Sequence, residues 1–372
     1  MKFTPVSSTS LRSILALASC FFIGCHATNT DEGKSVTDGG PSSTGGDDSG
    51  GATGPKCTAS PALLIDGHDL IDLQAGAEGI SASMDVAVSA TDLYVAVNYV
   101  SNGALLRVPI RGGTPVVMAP ISGAEQGLLV TGDSVVFAQA GASAAGASSG
   151  EVVRIGLQGG PTTVLATDSI ARATIFGPNG VLASDGQRVY FAAADGTKSV
   201  PLAGGAVQTL TAHTGSIALV GSDLVVADST AEGLYRVPSG GGAETALVTG
   251  LSGQLGPVVG CGSTVCWAGA VEVDPSQQGT GTLMQLGPSG ARTLASDPAL
   301  YVVYRLAFDG STFFATMLAD ASPGSLATVP ADGGSPSGGG FGTGLAVDDE
   351  CLYLAGVQGV YSIQKALGVV VP

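Results

Sequence analysis

The chain has 372 residues, of which 58 are Gly and only 12% are charged, against roughly 25% charged in an ordinary globular domain. Gly costs about 1 kcal/mol per helical position relative to Ala, so this composition excludes a helical bundle or coiled coil, while 44% apolar residues exclude a wholly disordered chain. A net charge of −16 repels phosphate backbones and argues against a nucleic-acid partner.

The first predicted element is an export signal. Lys2 and Arg12 precede an apolar stretch, residues 13–24. That is too short to span a bilayer, which takes about 20 residues, and it fits the apolar region of a signal peptide. The stretch ends on Gly24-Cys25, and here the chain resembles a bacterial lipoprotein, in which a small residue precedes a Cys that is lipidated and becomes the new N-terminus. The resemblance implies lipidation at Cys25, with Leu17-Ala18-Ser19-Cys20 as the alternative site. It also implies a membrane held through a lipid anchor, and His26 after Cys25 implies outer-membrane sorting. Residues 1–24 are therefore read as signal peptide. Residues 25–60, rich in Gly, Ser, Thr and Asp, are a disordered tether, because too few apolar groups are present to offset the entropy of folding. Residues 61–372 are the folded body.

The body is an internal repeat, the first feature to seek in any sequence. Its first copy, DVAVSATDLYVAV followed by ALLRVPIRGGTPVVMA, recurs in six further versions down to GLAVDDECLYLAG followed by GVYSIQKALGVVV. Equivalent second-strand positions are Tyr94, Val136, Tyr190, Val225, Cys266, Phe314 and Tyr353, on average about 43 residues apart, as in propeller repeats of four strands. The longest step contains the Ala/Gly/Ser run 141–150, read as a loop. The prediction is all-β: a single β-propeller of seven four-stranded blades, with six or eight as alternatives. Gly112-Gly113, Gly159-Gly160, Gly204-Gly205 and Asp332-Gly333 are assigned to turns that demand positive φ. For ring closure, residues 70–74 (LIDLQ) are proposed as the outer strand of the last blade, and residues 368–371 (GVVV) compete for that place.

Four Cys remain in the body region, an even number that fits an oxidising compartment and two disulfides. Cys261 and Cys266 flank a Gly-Ser turn and suit a bridge between neighbouring strands, which leaves Cys57 and Cys351 to tie the start of the body to its end. A metal site is the alternative, set aside because no second close Cys pair accompanies the first.

No G-x-S-x-G, H-E-x-x-H or P-loop motif is present, so no catalytic residue is assigned. His26, His68 and His213 are scattered and read as surface residues. Asp185-Gly186 and Asp309-Gly310 are read as hairpin turns, not calcium ligands. Propellers usually act where loops converge on the central channel. Alignment of the copies places Met84-Asp85, Gln126-Gly127, Asn179-Gly180, Gly215-Ser216, Gly256-Pro257, Tyr304-Arg305 and Thr343-Gly344 around that mouth. The candidate ligand-binding residues are Asp85, Gln126, Asn179, Tyr304 and Arg305, with direct pairing of Asp85 and Arg305 as the plainer alternative.

The second-strand pattern L-Y-V-A, V-Y-F-A, V-C-W-A and L-Y-L-A, with R-V-P-x-x-G-G at Arg107 and Arg236, resembles the YWTD, NHL and SMP-30-like (TolB-like) propellers. The resemblance implies the fold. It also implies an alternative function: a metal-dependent hydrolase of the SMP-30 or lactonase type, with Asp85 and Asn179 as ligands and calcium as the one cofactor in view. The principal expectation is a monomeric, lipid-anchored scaffold in the cell envelope that binds an envelope protein or a small polar ligand.

Overall fold

The second strand of each repeat is apolar at successive positions rather than alternate ones, the mark of a strand covered on both faces. Residues 93–97, 189–193, 224–227 and 265–268 are all buried. Alternation then decides which neighbour each side chain meets. Leu93, Val95 and Val97 pack with Val86, Tyr353 and Ala355, whereas Tyr94 and Ala96 point the other way, onto Val135, Phe137 and Ile155. A strand sandwiched in this way requires sheets stacked face to face. The inner strands alone are too short to enclose such a core, so the sheets must fan around an axis.

The computed structural model describes residues 56–58, 61–66, 83–98, 102–122, 124–140, 149–170, 180–251, 253–270, 279–300, 302–319, 322–339, 342–356 and 358–365. Within them the chain forms a seven-bladed β-propeller. Blades 1 to 6 lie within residues 83–122, 124–168, 182–211, 216–249, 254–297 and 303–330, each an antiparallel meander, and blade 7 combines residues 344–364 with a strand from 62–66. The first strand of every blade touches the first strand of the next, and blade 7 touches blade 1, which makes a closed ring of inner strands. The one helical element among the described residues is the short turn Pro298–Leu300.

Three features recur from blade to blade. The turn from third to fourth strand is closed by a Gly N–H donating to the carbonyl three residues earlier, as Gly112 does to Pro109, Gly204 to Pro201 and Gly241 to Pro238, each near 2.9 Å. At Gly112 and Gly113 φ is +83° and +138°, values that a Cβ disfavours. In blades 1 to 5 the pairing of third and fourth strands slips by one residue at equivalent places, such as Leu105/Leu106, Val152/Val153 and Leu234/Tyr235. Such a bulge raises local twist and so turns the outer strand away from its neighbours. The first hairpin of several blades is capped by an Asp. Oδ1 of Asp185 accepts from the N–H groups of Gln187 and Arg188, and Asp309 and Asp348 repeat the arrangement. In blades 3 and 7 the other carboxylate oxygen also receives the second-strand phenol, Tyr190 to Asp185 at 2.7 Å and Tyr353 to Asp348 at 3.0 Å. Burial and the Asp348 charge push the Tyr353 phenol well above its ordinary range.

One expectation is corrected. The outer strand of blade 7 is Ala62–Asp66, not residues 70–74. It pairs antiparallel with the last strand, Ala62 opposite Ser362 and Asp66 opposite Gly359, and buries Ile65 in the seam between blades 7 and 1. Residues 70–74 and 368–371 lie outside the described residues. The physical reason for the choice is upstream: Cys57 is bonded to Cys351, so the chain emerges beside blade 7 and its next apolar segment takes the open edge. Lys56 reaches Asp349 at 3.0 Å and Asp348 at 3.4 Å, and the Gln364 N–H donates to the Thr58 carbonyl, which completes the closure.

Blade 6 departs from four strands. Among the described residues it has three, and the fourth position holds a bridge in which Thr328 and Ser337 exchange two backbone hydrogen bonds. The segment that should pair here is Gly- and Ser-rich and supplies no alternating apolar residues. A Cβ at Gly338 would collide with the Leu326 carbonyl, so the backbone lies flat against the blade.

Candidate functional site

The described rim positions sit at or just before the start of an inner strand, where the chain arrives from the previous blade. The structure brings these starts together around one opening of about 150 Å³ on the propeller axis. Asp85, Gly127, Gly180, Pro257, Arg305 and Leu345 line it, one from the start of each of six blades.

The central feature is an ion pair. Arg305 Nη2 lies 2.6 Å from Asp85 Oδ2, and both side chains are almost fully buried. Blade 7 stands between blades 1 and 6 in the ring, so the pair spans the channel rather than a seam between neighbours. Asp85 also accepts the Val86 N–H at 2.9 Å and the Leu128 N–H of blade 2. One carboxylate thus joins three blades. Burial pushes the Asp85 carboxyl above its usual range, opposed by the Arg305 charge and by these N–H donors. The Arg305 guanidinium lies 5.3 Å from the centre of the Tyr304 ring, within reach of a cation–π contact.

The other rim groups also bond across blades. Ser216 Oγ accepts the Val258 N–H at 3.0 Å, and the Thr343 carbonyl accepts Thr316 Oγ1 at 2.9 Å. Gln126 is buried and Tyr304 half-buried. Asn179, His26, His68, Cys20, Cys25 and the Met84 side chain lie outside the described residues. The residues described at the mouth do not fit a cation cage. Asp85 is committed to Arg305 and two N–H groups, and among the described residues no three His, Cys, Asp or Glu side chains are grouped to hold a metal.

Cys57 is bonded to Cys351, and Cys261 to Cys266, with Cα atoms 6.1 Å and 5.8 Å apart. Sequence reasoning missed a second polar cluster. His213, read as a loop residue, stacks on Tyr235 and lies between Asp228 and Glu244. Its partners lie in blade 4, Asp228 and Tyr235 on separate strands and Glu244 in the connection before the fourth, and only the Asp closing the run LVVAD offered a local signal.

No protein-family model matches this chain, and no curated protein matches it by sequence. Solved structures do resemble it. Virginiamycin B lyase from Staphylococcus aureus, a catalytically inactive form with quinupristin, aligns with a TM-score of 0.55 at 11% identity over 77% of this chain and 96% of that one. The likeness establishes the fold. YCF48 bound to D1 peptide gives 0.53 at 9% identity, over 84% and 97% of the two chains. The β-propeller domain of the trilobed protease from Pyrococcus furiosus gives 0.52 at 12%, over 77% and 96%.

Proposed function

We propose that this chain is an exported, lipid-anchored propeller that binds an envelope protein or a small polar ligand at the mouth of its central channel. The observation that carries the reading is the convergence of inner-strand residues from six blades on one opening; Gln126 and Tyr304 precede two of its lining residues, Gly127 and Arg305, in the chain. Asp85 and Arg305 line that opening and are ion-paired, which supports a preformed shape. A preformed surface loses less entropy when it binds. The test is affinity capture from envelope extracts with wild-type protein and with Tyr304→Ala and Gln126→Ala, scored by abundance ratio. A specific partner should drop at least several-fold with one of the two variants. Equal recovery of every captured protein would remove the channel mouth as the site.

The export reading rests on residues 13–24, on Gly24-Cys25 and on the polar segment behind it. Two disulfides suit an oxidising compartment. Lipidation at Cys25 leads to an all-or-none result. Cys25→Ser should abolish incorporation of a labelled fatty acid and move the protein from the membrane fraction to the soluble fraction, while Cys20→Ser leaves both unchanged. The reverse pattern assigns the anchor to Cys20. Label in neither case, or in both, defeats the anchor.

A further inference from the structure

We infer that the outer edge of blades 7, 1, 2 and 3 is a docking surface for a lipid membrane. Among the described residues the large apolar side chains left exposed are Leu63, Val116, Val117, Val164 and Val207, each at least 40% exposed. All of them lie on the outer strand of a blade or one residue before it, and the four blades that carry them are consecutive in the ring. Their placement is regular. Leu63 stands opposite Tyr361, Val117 opposite Leu106 and Val164 opposite Val153, which is one position of the repeat in blades 7, 1 and 2. A single exposed Leu or Val is ordinary. A row of them at one level of neighbouring blades marks a contact surface.

Charge marks the same arc. The stretches that open these outer strands, residues 62–64, 114–118, 161–165 and 206–210, hold no Asp, Glu, Lys or Arg in a chain whose net charge is −16. The equivalent stretches of blades 4 and 5 carry Glu244 and Arg292. An uncharged arc on an acidic molecule gives a charged protein surface nothing to pair with and suits an apolar one. Tyr361 adds a half-buried ring opposite Leu63, its hydroxyl donating to the Gln358 carbonyl at 3.3 Å. Such an amphipathic ring suits the boundary between lipid and water. The choice of lipid rests on the anchored reading above. The segment that carries Cys25 joins the ring at Cys57, which is bonded to Cys351 in blade 7, and the next strand carries Leu63. Fully extended, the chain from Cys25 to Cys57 spans at most about 110 Å, so the body of an anchored chain stays within reach of the bilayer. The contact is interfacial. Outer strands present backbone N–H and C=O groups on their open side, and these need water or headgroups as partners. The side chains therefore enter the boundary of headgroups and acyl chains while the strands stay outside the hydrocarbon. The net negative charge favours zwitterionic over anionic lipid.

Hydrogen exchange of the full exported chain, alone and with phosphatidylethanolamine–phosphatidylcholine vesicles, tests the inference, and the intact mass records whether a lipid is attached. Vesicles should slow exchange several-fold in residues 114–118, 161–165 and 206–210 and leave residues 243–247 and 290–295 unchanged. Val117→Asp/Val164→Asp, at two exposed positions, should keep the melting temperature and lose that protection. Absence of protection at the arc overturns the docking surface, and with the lipid attached it leaves the anchor standing. Protection at the arc without an attached lipid keeps the surface and removes the anchor. Protection that survives the double substitution, or is equal around the ring, overturns the surface. So does protection that rises with protein concentration in the absence of vesicles, because a second copy of the chain then covers the arc.

Discussion

Replacing Cys57 and Cys351 together by Ala is expected to lower the melting temperature by about 10 °C, more than twice the shift from replacing Cys261 and Cys266. The reasoning is entropic. The first bridge closes a loop between residues 294 apart in sequence and the second a loop between residues 5 apart. Loop-closure entropy puts the two at about 6 and about 2 kcal/mol, and a domain of this size shifts by roughly 2 °C per kcal/mol. Structure strengthens the contrast. The Cys261–Cys266 hairpin is also held by strand pairing from Gln254 to Ala270 within one blade. The Cys57–Cys351 bridge holds the one strand that joins the two ends of the ring, and that strand is only five residues long. Without the bridge, Ala62–Asp66 keeps its ladder to the last strand and the Lys56 contacts, all of which can fray from one end. Hydrogen exchange should show the loss concentrated in residues 62–66 and 359–364. Equal melting shifts for the two double variants, or uniform loss of protection around the ring, would rule out this account of closure.

The difference between what the sequence disclosed and what it concealed follows from the range of the interactions. Blade number was legible because each blade repeats its own local pattern, and an inner strand buried on both faces is apolar along its whole length. The channel mouth was legible for the same reason. Equivalent positions of a repeat must occupy equivalent places in a ring, so Asp85 and Arg305, from blades 1 and 6, meet at one opening. Closure was half legible: the Cys57–Cys351 tie followed from the cysteine count, but the strand it brings to the open edge did not. Residues 70–80 look like the fourth-strand segment of blade 1, but the position of the closing strand is decided by a bond to Cys351, far along the chain, and by the open edge beside it. The irregular fourth position of blade 6 was half legible, since the Gly/Ser run makes a poor strand but does not announce the bridge at Thr328. The His213 cluster was invisible because its members are ordinary strand and loop residues until the blades pack.

Arg305→Ala is expected to cost about 3–5 kcal/mol, because it strands a buried carboxylate. The pair is 2.6 Å long, spans the channel and is shielded from water, so solvent screening does little to discount it. The double variant Asp85→Ala/Arg305→Met should recover most of the loss, since a buried ion pair replaced by apolar groups is often neutral in stability. The pH dependence has a definite sign. Burial holds the Asp85 carboxyl above its ordinary value, against the pull of Arg305. The folded protein therefore keeps the Asp85 proton to higher pH than the unfolded chain does. Stability from this group grows as pH falls through the raised folded value and levels off below the unfolded one. Loss of Arg305 removes the opposing pull, raises the folded value further and widens that window. The stability gap between wild type and Arg305→Ala should be largest near neutral pH and shrink on acidification toward about pH 4, where the unfolded carboxyl also takes up its proton. Denaturant unfolding at a series of pH values reads this directly. A gap below about 1 kcal/mol at neutral pH would mean that the pair is solvated and does not brace the channel. A gap that stays constant on acidification would mean that the lost packing of the Arg305 stem, not the stranded Asp85 charge, sets the cost.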